Sequence, residues 1–282
     1  MNVPFVFVTV RKSHGKILVL QISSVFGDVQ SNLLKLQNTL KKSLDKDETV
    51  DLVVLPEFFA TSTDYVNHAT DEKGGFILDK VREFAKIYYT NFIAGSIVRK
   101  KGTKLYNTSF AINRDGEIIG SYDKIHLFNY FGGQEGSKSS PGDRICTVDF
   151  DFGKTGIAIC FDIRYPLHFH DMMKLGAKLV VLPTAWIFPK EKLKDDNFRH
   201  DCEDIWRAMS KTRAYDNEVF FAVCNQTGEI SPVMEGLGNS MIVSPYGRVI
   251  ASLDTAEGVL KADIDLNAVD TARKEFPVQE LL

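Results

Sequence analysis

A cysteine and a glutamate each follow a short apolar segment, at the point where a buried strand would end. Cys160 closes the run GIAIC, and Glu57 follows VVLP. In open α/β sheets, ligands bind in the crevice beyond the carboxyl ends of the strands, so we expect both side chains at one site. A thiol has a pKa of about 8.5 and needs a base or a nearby cation before it attacks at neutral pH. The two residues therefore predict nucleophilic catalysis by Cys160, with Glu57 as the proton acceptor.

Two further charged residues could complete such a site. Lys124 is flanked by apolar and aromatic residues in YDKIHLF, and its ammonium could stabilise both a thiolate and a developing oxyanion. Glu135 lies in the glycine- and serine-rich segment FGGQEGSKSSPGD, where a surface charge is the ordinary explanation. Each residue also has a structural alternative when taken alone: a packed thiol for Cys160, an arginine-paired carboxylate for Glu57 and a solvated ammonium for Lys124.

Apolar periodicity predicts the strands and helices that would position these side chains. Strands are expected at residues 16–23, 51–55, 91–98, 105–112, 117–122, 146–152, 155–160, 178–182, 218–224, 240–244, 248–253 and 259–264. Amphipathic helices are expected from an N-cap at Asp28 to Leu44, and at residues 78–89, 165–175 and 203–215. Helices that alternate with strands predict one α/β domain with several antiparallel hairpins inserted.

The composition argues against several classes of protein. The chain has 282 residues, a net charge of −3 and 44% hydrophobic residues, which suits one large globular domain or two modest ones. The near-neutral charge argues against nucleic-acid binding, and no apolar run approaches the ~18–20 residues of a membrane span.

The four cysteines share no C-x-x-C spacing, so we expect free thiols in the cytoplasm rather than disulfides or structural zinc. The apolar run at residues 3–10 lacks a basic start and a cleavage site, which favours an edge strand or an extension over a signal peptide.

Taken together, the segments around the candidate residues resemble the nitrilase superfamily of carbon–nitrogen hydrolases. LPEFF, YDKIHLF and CFDIRYP resemble that family's Glu–Lys–Cys triad in the family's order, and QEGSKSSPGD resembles its second-glutamate loop. Matches at KLYNTSF, PTAW, RAYDNEVFFAVCN and GNSMIVSPYGRVI extend the resemblance from about Lys16 to the C-terminus. We therefore expect a single hydrolase domain at residues 16–282, preceded by an extension at residues 1–15. The chain departs from the family at Leu167, where an acidic residue is common, and at residues 188–202, which are longer and more charged than in the shortest members.

The resemblance implies a four-layer α-β-β-α sandwich and catalysis without a metal or organic cofactor. Glu57 would accept the thiol proton while Cys160 attacks a small amide and forms a thioester. Lys124 and the backbone N–H of Phe161 would stabilise the oxyanion, and Glu135 would position Lys124 or the substrate amide. Members of the family usually form dimers. Two stretches could form the dimer contact: the helix at residues 165–175 (Phe169, Met172, Met173) and the segment with Trp206 and Met209. Both stretches could equally be core.

The segment HLF after Lys124 resembles the omega-amidases, which hydrolyse dicarboxylate monoamides. On that resemblance His126 and Trp186 are candidate pocket residues, and Lys190, Lys192 or Arg199 could bind the carboxylate tail. An N-carbamoyl hydrolase is the first alternative and a nitrilase the second.

Three alternatives lie outside this mechanism. A metal hydrolase would use residues 168–171 or 200–202, which contain ligand-type side chains, although residues two apart on a helix face different ways. A serine amidase is disfavoured because the chain has no G-x-S-x-G motif. A catalytically silent scaffold would tolerate loss of a triad member, yet Glu57, Lys124, Cys160 and Glu135 are all present.

Overall fold

The computed structural model of the chain describes residues 13–44, 49–130 and 133–278. Its strands are β1 (His14–Gln21), β2 (Leu52–Val54), β3 (Asn91–Ile93), β4 (Ile97–Lys101), β5 (Lys104–Ile112), β6 (Ile118–Asp123), β7 (Cys146–Phe150), β8 (Gly153–Ile157), β9 (Leu179–Thr184), β10 (Ile187–Pro189), β11 (Phe220–Asn225), β12 (Thr227–Ser231), β13 (Met234–Leu237), β14 (Met241–Val243), β15 (Val249–Ser252) and β16 (Gly258–Asp265). Its helices are α1 (Val29–Ser43), α2 (Gly75–Tyr88), α3 (Glu135–Lys138), α4 (Pro166–Lys174), α5 (Lys190–Leu193), α6 (Asp196–Asp216) and α7 (Asn267–Glu275). Within these ranges, no helix combines the length and the apolar character that a membrane span requires.

Most of the described strands belong to two large sheets. The first sheet has the order β16-β1-β2-β3-β5-β4, with β6 paired to β5, and the second has the order β15-β14-β11-β9-β8-β7. Neighbouring strands β1, β2 and β3 run parallel, and so do β8, β9 and β11. The carboxyl ends of the parallel strands therefore lie together at one edge of each sheet.

The two sheets stack face to face, and helices cover their outer faces. Side chains of both sheets form one core between them, including Val19 and Val54 of the first sheet and Val181 and Ala222 of the second. Successive side chains of a strand point to opposite faces, so the neighbours of these residues pack outward. On the first sheet they meet α1 and α2, and on the second they meet α4 and α6. This arrangement confirms the α/β class and the four-layer α-β-β-α sandwich expected from the resemblance.

Several predicted boundaries were wrong for identifiable reasons. The strand expected at residues 91–98 is divided into β3 and β4, because Gly95 takes a left-handed conformation with φ of +46°. The strand expected to reach Cys160 ends at Ile157, and Cys160 begins a 3₁₀ turn over Cys160–Arg164. Helix α6 begins at Asp196 rather than at residue 203, because the side chain of Asp195 caps its first turn.

A small third sheet lies close to the ends of the second one and was not expected from the sequence. Its order is β10-β13-β12, and β10 and β12 follow directly after β9 and β11 along the chain. Helices α3, α5 and α7 were not expected either. Strand β1 begins at His14, and the apolar run at residues 3–10 lies outside the described residues. The division into an extension and one domain at residues 16–282 stays a prediction.

Gly95 lets the loop between β3 and β4 approach the segment that carries Glu57. A Cβ on Gly95 would collide with the backbone carbonyl oxygen of Pro56. We therefore expect Gly95→Ala to lower the free energy of unfolding by about 3 kcal/mol or more, measured by chemical denaturation.

Gly102 is a matched control for this substitution. Its φ is +61°, but a Cβ there would have no heavy atom within 4 Å. Gly102→Ala should therefore cost only the left-handed backbone strain, about 1 kcal/mol. Equal losses in the two variants would contradict a specific role of the Gly95–Pro56 approach.

Candidate active site

Three buried charges lie in direct contact beyond the ends of the first sheet's strands. The Nζ atom of Lys124 donates hydrogen bonds to Oε1 of Glu57 and to Oε2 of Glu135, each at 2.9 Å. The three residues are 2%, 2% and 5% exposed, for Lys124, Glu57 and Glu135 respectively. Glu57 follows β2, Lys124 follows β6, and Glu135 is the first residue of α3. The sequence-predicted residues are thus brought together, including the glutamate that looked like a surface charge.

Neutral donors hold the two carboxylates at fixed positions. The side-chain amide of Asn107, in β5, donates to Oε1 of Glu57 and to Oε1 of Glu135, each at 2.9 Å. The backbone N–H of Phe128 donates to Oε2 of Glu135 at 2.8 Å, and that of Ala185 donates to Oε2 of Glu57 at 2.9 Å. Asn107 was not identified from the sequence, where its segment KLYNTSF served only for the resemblance.

Cys160 lies at the end of the second sheet, against Glu57. Its φ of +47° is left-handed, a conformation that non-glycine residues adopt at a cost of order 1–3 kcal/mol and that often occurs at functional sites. The carboxylate of Glu57 and the backbone N–H of Ala185 lie close enough to the Cys160 sulfur to shift the pKa of the thiol. Burial and the negative charge of Glu57 raise the pKa of the Cys160 thiol well above its ordinary value, although Lys124 opposes them. The thiol is therefore protonated at neutral pH, with a carboxylate placed to receive its proton.

The ammonium of Lys124 keeps its charge in this buried setting. Burial alone would lower its pKa, but the charges of Glu135 and Glu57 outweigh burial and raise the pKa of Lys124 well above its ordinary value. A permanent cation within reach of Cys160 can stabilise negative charge on sulfur or on a substrate oxygen.

Tyr65 lines the same region and was not identified from the sequence. Its ring stacks on that of Phe58 with 4.3 Å between centroids. Burial, followed by the charges of Glu135 and Glu57, raises the pKa of Tyr65 to about 12. Its neutral hydroxyl is thus a hydrogen-bond donor close to both carboxylates.

The other sequence-predicted site residues lie around this cluster. The ring of Phe161 packs against Phe128 and Tyr130, with centroid distances of 5.3 and 5.5 Å. Trp186 places its ring edge-on to buried Trp206 at 4.8 Å. His126 directs Nδ1 toward a carboxylate oxygen of Asp162 at 2.7 Å. The pocket role of His126 and Trp186 and the oxyanion role of Phe161 stay predictions.

Two of the cations expected to bind a substrate carboxylate already have carboxylate partners. Lys190 lies 2.7 Å from Glu229, and Arg199 lies 3.1 Å from Glu235. The Nζ atom of Lys192 lies 5.7 Å from the ring centroid of Phe198. The Lys190–Glu229 and Arg199–Glu235 pairs join α5 and α6 to the small third sheet. They give a structural role to charged residues of the stretch at residues 188–202.

Most side chains expected at a dimer contact are core residues of the chain. Phe169, Met172, Met173 and Trp206 are at most 4% exposed. On the same two helices, Leu167 is 74% and Ile205 is 50% exposed. Met209 is half-buried, so it is the one residue named for the contact that a second molecule could reach, besides exposed residues such as Leu167 and Ile205.

A cluster of potential metal ligands near Cys160 includes His168 from one of the two segments considered from the sequence, but none of residues 200–202. In the described part of the chain, His126, Asp162 and His168 bring their ligand atoms within 4.8 Å of one another. Both oxygens of Asp162 already accept hydrogen bonds, from Tyr122, His126 and the backbone of Ile159. The donor set therefore fits a hydrogen-bond network better than a cation site.

Comparison with known proteins shows likeness along nearly the whole chain. The family model described as carbon-nitrogen hydrolase matches residues 16–274. The 2-oxoglutaramate amidase of Bacillus subtilis is 30% identical over 92% of this chain and 94% of that protein. The human omega-amidase NIT2 is 28% identical over 93% of this chain and 92% of that protein. The crystal structure of Saccharomyces cerevisiae Nit3, a member of branch 10 of the nitrilase superfamily, has a TM-score of 0.80, is 26% identical and covers 94% of both chains.

The effect of Glu57 on the pKa of the Cys160 thiol predicts an unusual response to Glu57→Gln. The charge of Glu57 raises the thiol pKa, so a neutral amide should let the thiolate form at lower pH than in the wild type. Activity should nevertheless fall by about 10²–10⁴-fold if Glu57 is the proton acceptor expected from the sequence, because that acceptor is lost. Thiolate absorbance at 240 nm, recorded against pH, measures the first effect.

Three other cysteines would contribute to that absorbance. Each titration is therefore read as the difference between a protein and the same protein carrying Cys160→Ala. A thiol midpoint that stays in place or moves to higher pH in Glu57→Gln would show that Glu57 is not ionised beside Cys160.

Proposed function

This chain belongs to the carbon–nitrogen hydrolase family, hydrolases of carbon–nitrogen bonds other than peptide bonds, and we propose that it is a cysteine amidase acting on small dicarboxylate monoamides. One observation carries the catalytic part of the proposal. A single buried carboxylate, Glu57, accepts a hydrogen bond from the ammonium of Lys124 and lies close enough to the Cys160 thiol to raise its pKa. Nucleophile, base and oxyanion-stabilising cation are thus within one cluster, as covalent catalysis at a carbonyl requires.

In the first half of the proposed reaction, Cys160 becomes acylated. Glu57 takes the thiol proton while the sulfur bonds to the amide carbon, and the carbonyl electron pair moves onto oxygen. Lys124 and the backbone N–H of Phe161 donate to that oxyanion; loss of one such donor typically costs about 3–4 kcal/mol. The protonated Glu57 then gives its proton to the nitrogen as the carbon–nitrogen bond breaks. Ammonia departs, and the acyl group remains on Cys160 as a thioester.

In the second half, water releases the acid. Glu57 takes a proton from water as the water oxygen bonds to the thioester carbon. The carbon–sulfur bond then breaks, and the proton on Glu57 returns to the sulfur of Cys160. Glu135 keeps Lys124 in place throughout, since Lys124 is bonded to it as well as to Glu57. These steps need no redox change and draw every proton from groups within the cluster or from water.

The substrate class rests on likeness rather than on the pocket. The relatives that match over most of the chain include proteins named 2-oxoglutaramate amidase and omega-amidase. The segment HLF after Lys124 points the same way. An N-carbamoyl hydrolase would use the same three catalytic residues, so it remains the alternative that the substrate test must separate.

The compartment and the assembly are part of the same proposal. The four cysteines are free thiols, which is typical of a reducing compartment, and we place the enzyme in the cytoplasm. The exposed apolar side chains of α4 and α6 support a homodimer built on these helices.

The proposal is tested by measuring ammonia release from a panel of compounds. Succinamate and 2-oxoglutaramate should be hydrolysed, and Cys160→Ala should abolish release. Butyramide replaces the carboxylate of succinamate by a methyl group at the same length. We expect its kcat/KM to be about 10–100-fold lower, the effect of losing one hydrogen-bonded charge.

The remaining compounds test the alternatives. Release of ammonia from N-carbamoyl amino acids alone would keep the mechanism and overturn the substrate class. Hydrolysis of a simple nitrile alone would indicate a nitrilase. A folded wild-type protein that hydrolyses none of the panel would contradict the proposed function and favour a scaffold.

A further inference from the structure

A second buried carboxylate, Asp162, lies two residues after Cys160 and has no place in the chemistry described above. It is 0% exposed. Its Oδ2 atom accepts from the backbone N–H of Ile159 at 2.8 Å and from the hydroxyl of Tyr122 at 2.7 Å. Its Oδ1 atom accepts from the backbone N–H of His126 at 3.1 Å and lies 2.7 Å from Nδ1 of the same residue. Because a carboxylate only accepts, Nδ1 of His126 must carry the hydrogen.

These donors come from the two segments that carry the cysteine and the lysine. Ile159 directly precedes Cys160, while Tyr122 and His126 stand two residues before and two residues after Lys124. The Tyr122 hydroxyl also accepts from the backbone N–H of Ile125 at 3.1 Å. One carboxylate therefore bonds the backbone next to the nucleophile and both sides of the lysine segment.

The geometry around Asp162 is tightly constrained. Its own backbone N–H donates to the carbonyl of Ile159 at 3.1 Å, so main chain and side chain close the same turn. The His126 ring stacks on Tyr165 with 3.6 Å between centroids and an interplanar angle of 11°. Tyr165 in turn donates its backbone N–H to the carbonyl of Asp162 at 2.9 Å. The ring that bonds Asp162 is thus held by a residue that is bonded to Asp162 as well.

Asp162 is charged despite its burial. Burial alone would raise its pKa, but hydrogen bonds from His126, Ile159 and Tyr122, together with the charge of His168, lower the pKa of Asp162 below its ordinary value. A protonated carboxyl would have to give up one of these donors, so the ionised form is the one that the network requires.

We propose that Asp162 is a positioning residue that sets the distance between the Cys160 thiol and the Lys124 ammonium, with Tyr122 and His126 as its contacts on the lysine side. This inference rests on the proposed function. The left-handed backbone at Cys160 is strained and needs a bond that holds it, and the Asp162 side chain supplies that bond through Ile159. The same side chain joins this turn to the segment that carries the oxyanion-stabilising cation.

Asp162→Asn is the primary test, because the amide keeps the shape and removes two acceptor positions. We expect kcat for succinamate to fall about 100-fold, the effect of misplacing reacting groups by about 1 Å, with KM within about threefold. Alkylation of Cys160 by iodoacetamide, followed by peptide mass spectrometry, should slow by about tenfold.

Tyr122→Phe keeps the ring and removes one of the donors to Asp162, and we expect its kcat to be about tenfold lower than that of the wild type. This variant tests the proposal if Asp162→Asn does not fold.

Asp51→Asn is the matched control for loss of a buried carboxylate. Asp51 is 1% exposed and accepts from the backbone N–H of Lys16 at 2.8 Å and from Arg114 at 2.6 Å. It precedes β2, at the end of the strand opposite to Glu57. Its variant should lose thermal stability as Asp162→Asn does, while kcat and the alkylation rate stay within about twofold of the wild type.

Two results would overturn the proposal. The first is a loss of kcat and alkylation rate in Asp162→Asn no greater than in Asp51→Asn, since burial of a carboxylate would then explain everything. The second is stoichiometric zinc in the purified wild type that is lost in Asp162→Asn, because His126, Asp162 and His168 would then form a metal site. If the wild type hydrolyses no amide, the proposed function fails, while alkylation of Cys160 still reports on positioning.

Discussion

A lysine ammonium and two carboxylates share a site from which water is almost excluded, and the rest of the site follows from how these charges are held. Buried ions are tolerated only when they are paired and when their remaining hydrogen-bonding positions are filled. Lys124 pairs with Glu57 and Glu135, and the carboxylates accept further bonds from Asn107 and from two backbone N–H groups. Charge pairing therefore dictates which segments must meet here, because each donor lies on a different segment of the chain.

The sandwich is the arrangement that lets these segments meet. Glu57 and Lys124 follow strands of the first sheet, whereas Cys160 and Ala185 follow strands of the second. Close packing of apolar side chains between the sheets fixes their separation, and a thiol takes part in it: Cys224 donates to the carbonyls of Leu20 and Val54 across the interface. A cavity in that core would change the distance between Cys160 and Glu57, the proposed nucleophile and base, without removing an atom of either residue.

The sequence predicted the functional elements better than it predicted the boundaries around them. Apolar runs that end in Glu57 and Cys160 carry a strong signal, because burial and a reactive side chain follow each other directly. Asn107 carries none, since it lies inside a strand whose pattern is explained by burial alone. Nor does the pattern around His126, a candidate pocket residue, indicate that its ring is bonded to Asp162. The short strands of the third sheet and the charged start of α6 lack apolar periodicity, so only their pairing and capping in the folded chain reveal them.

A protonated resting thiol suits the chemistry that we propose for the cluster. Before reaction, the negative charges lie on Glu57 and Glu135, with Lys124 bonded to both. When Cys160 gives its proton to Glu57, one negative charge moves from the carboxylate to sulfur, and the net charge of the cluster does not change. The ammonium that stabilised the carboxylate is near enough to Cys160 to favour the thiolate too, since each group shifts the pKa of the other. Because the donors are already oriented, this transfer needs little rearrangement, and the electrostatic stabilisation is available at the moment when charge develops on the substrate oxygen.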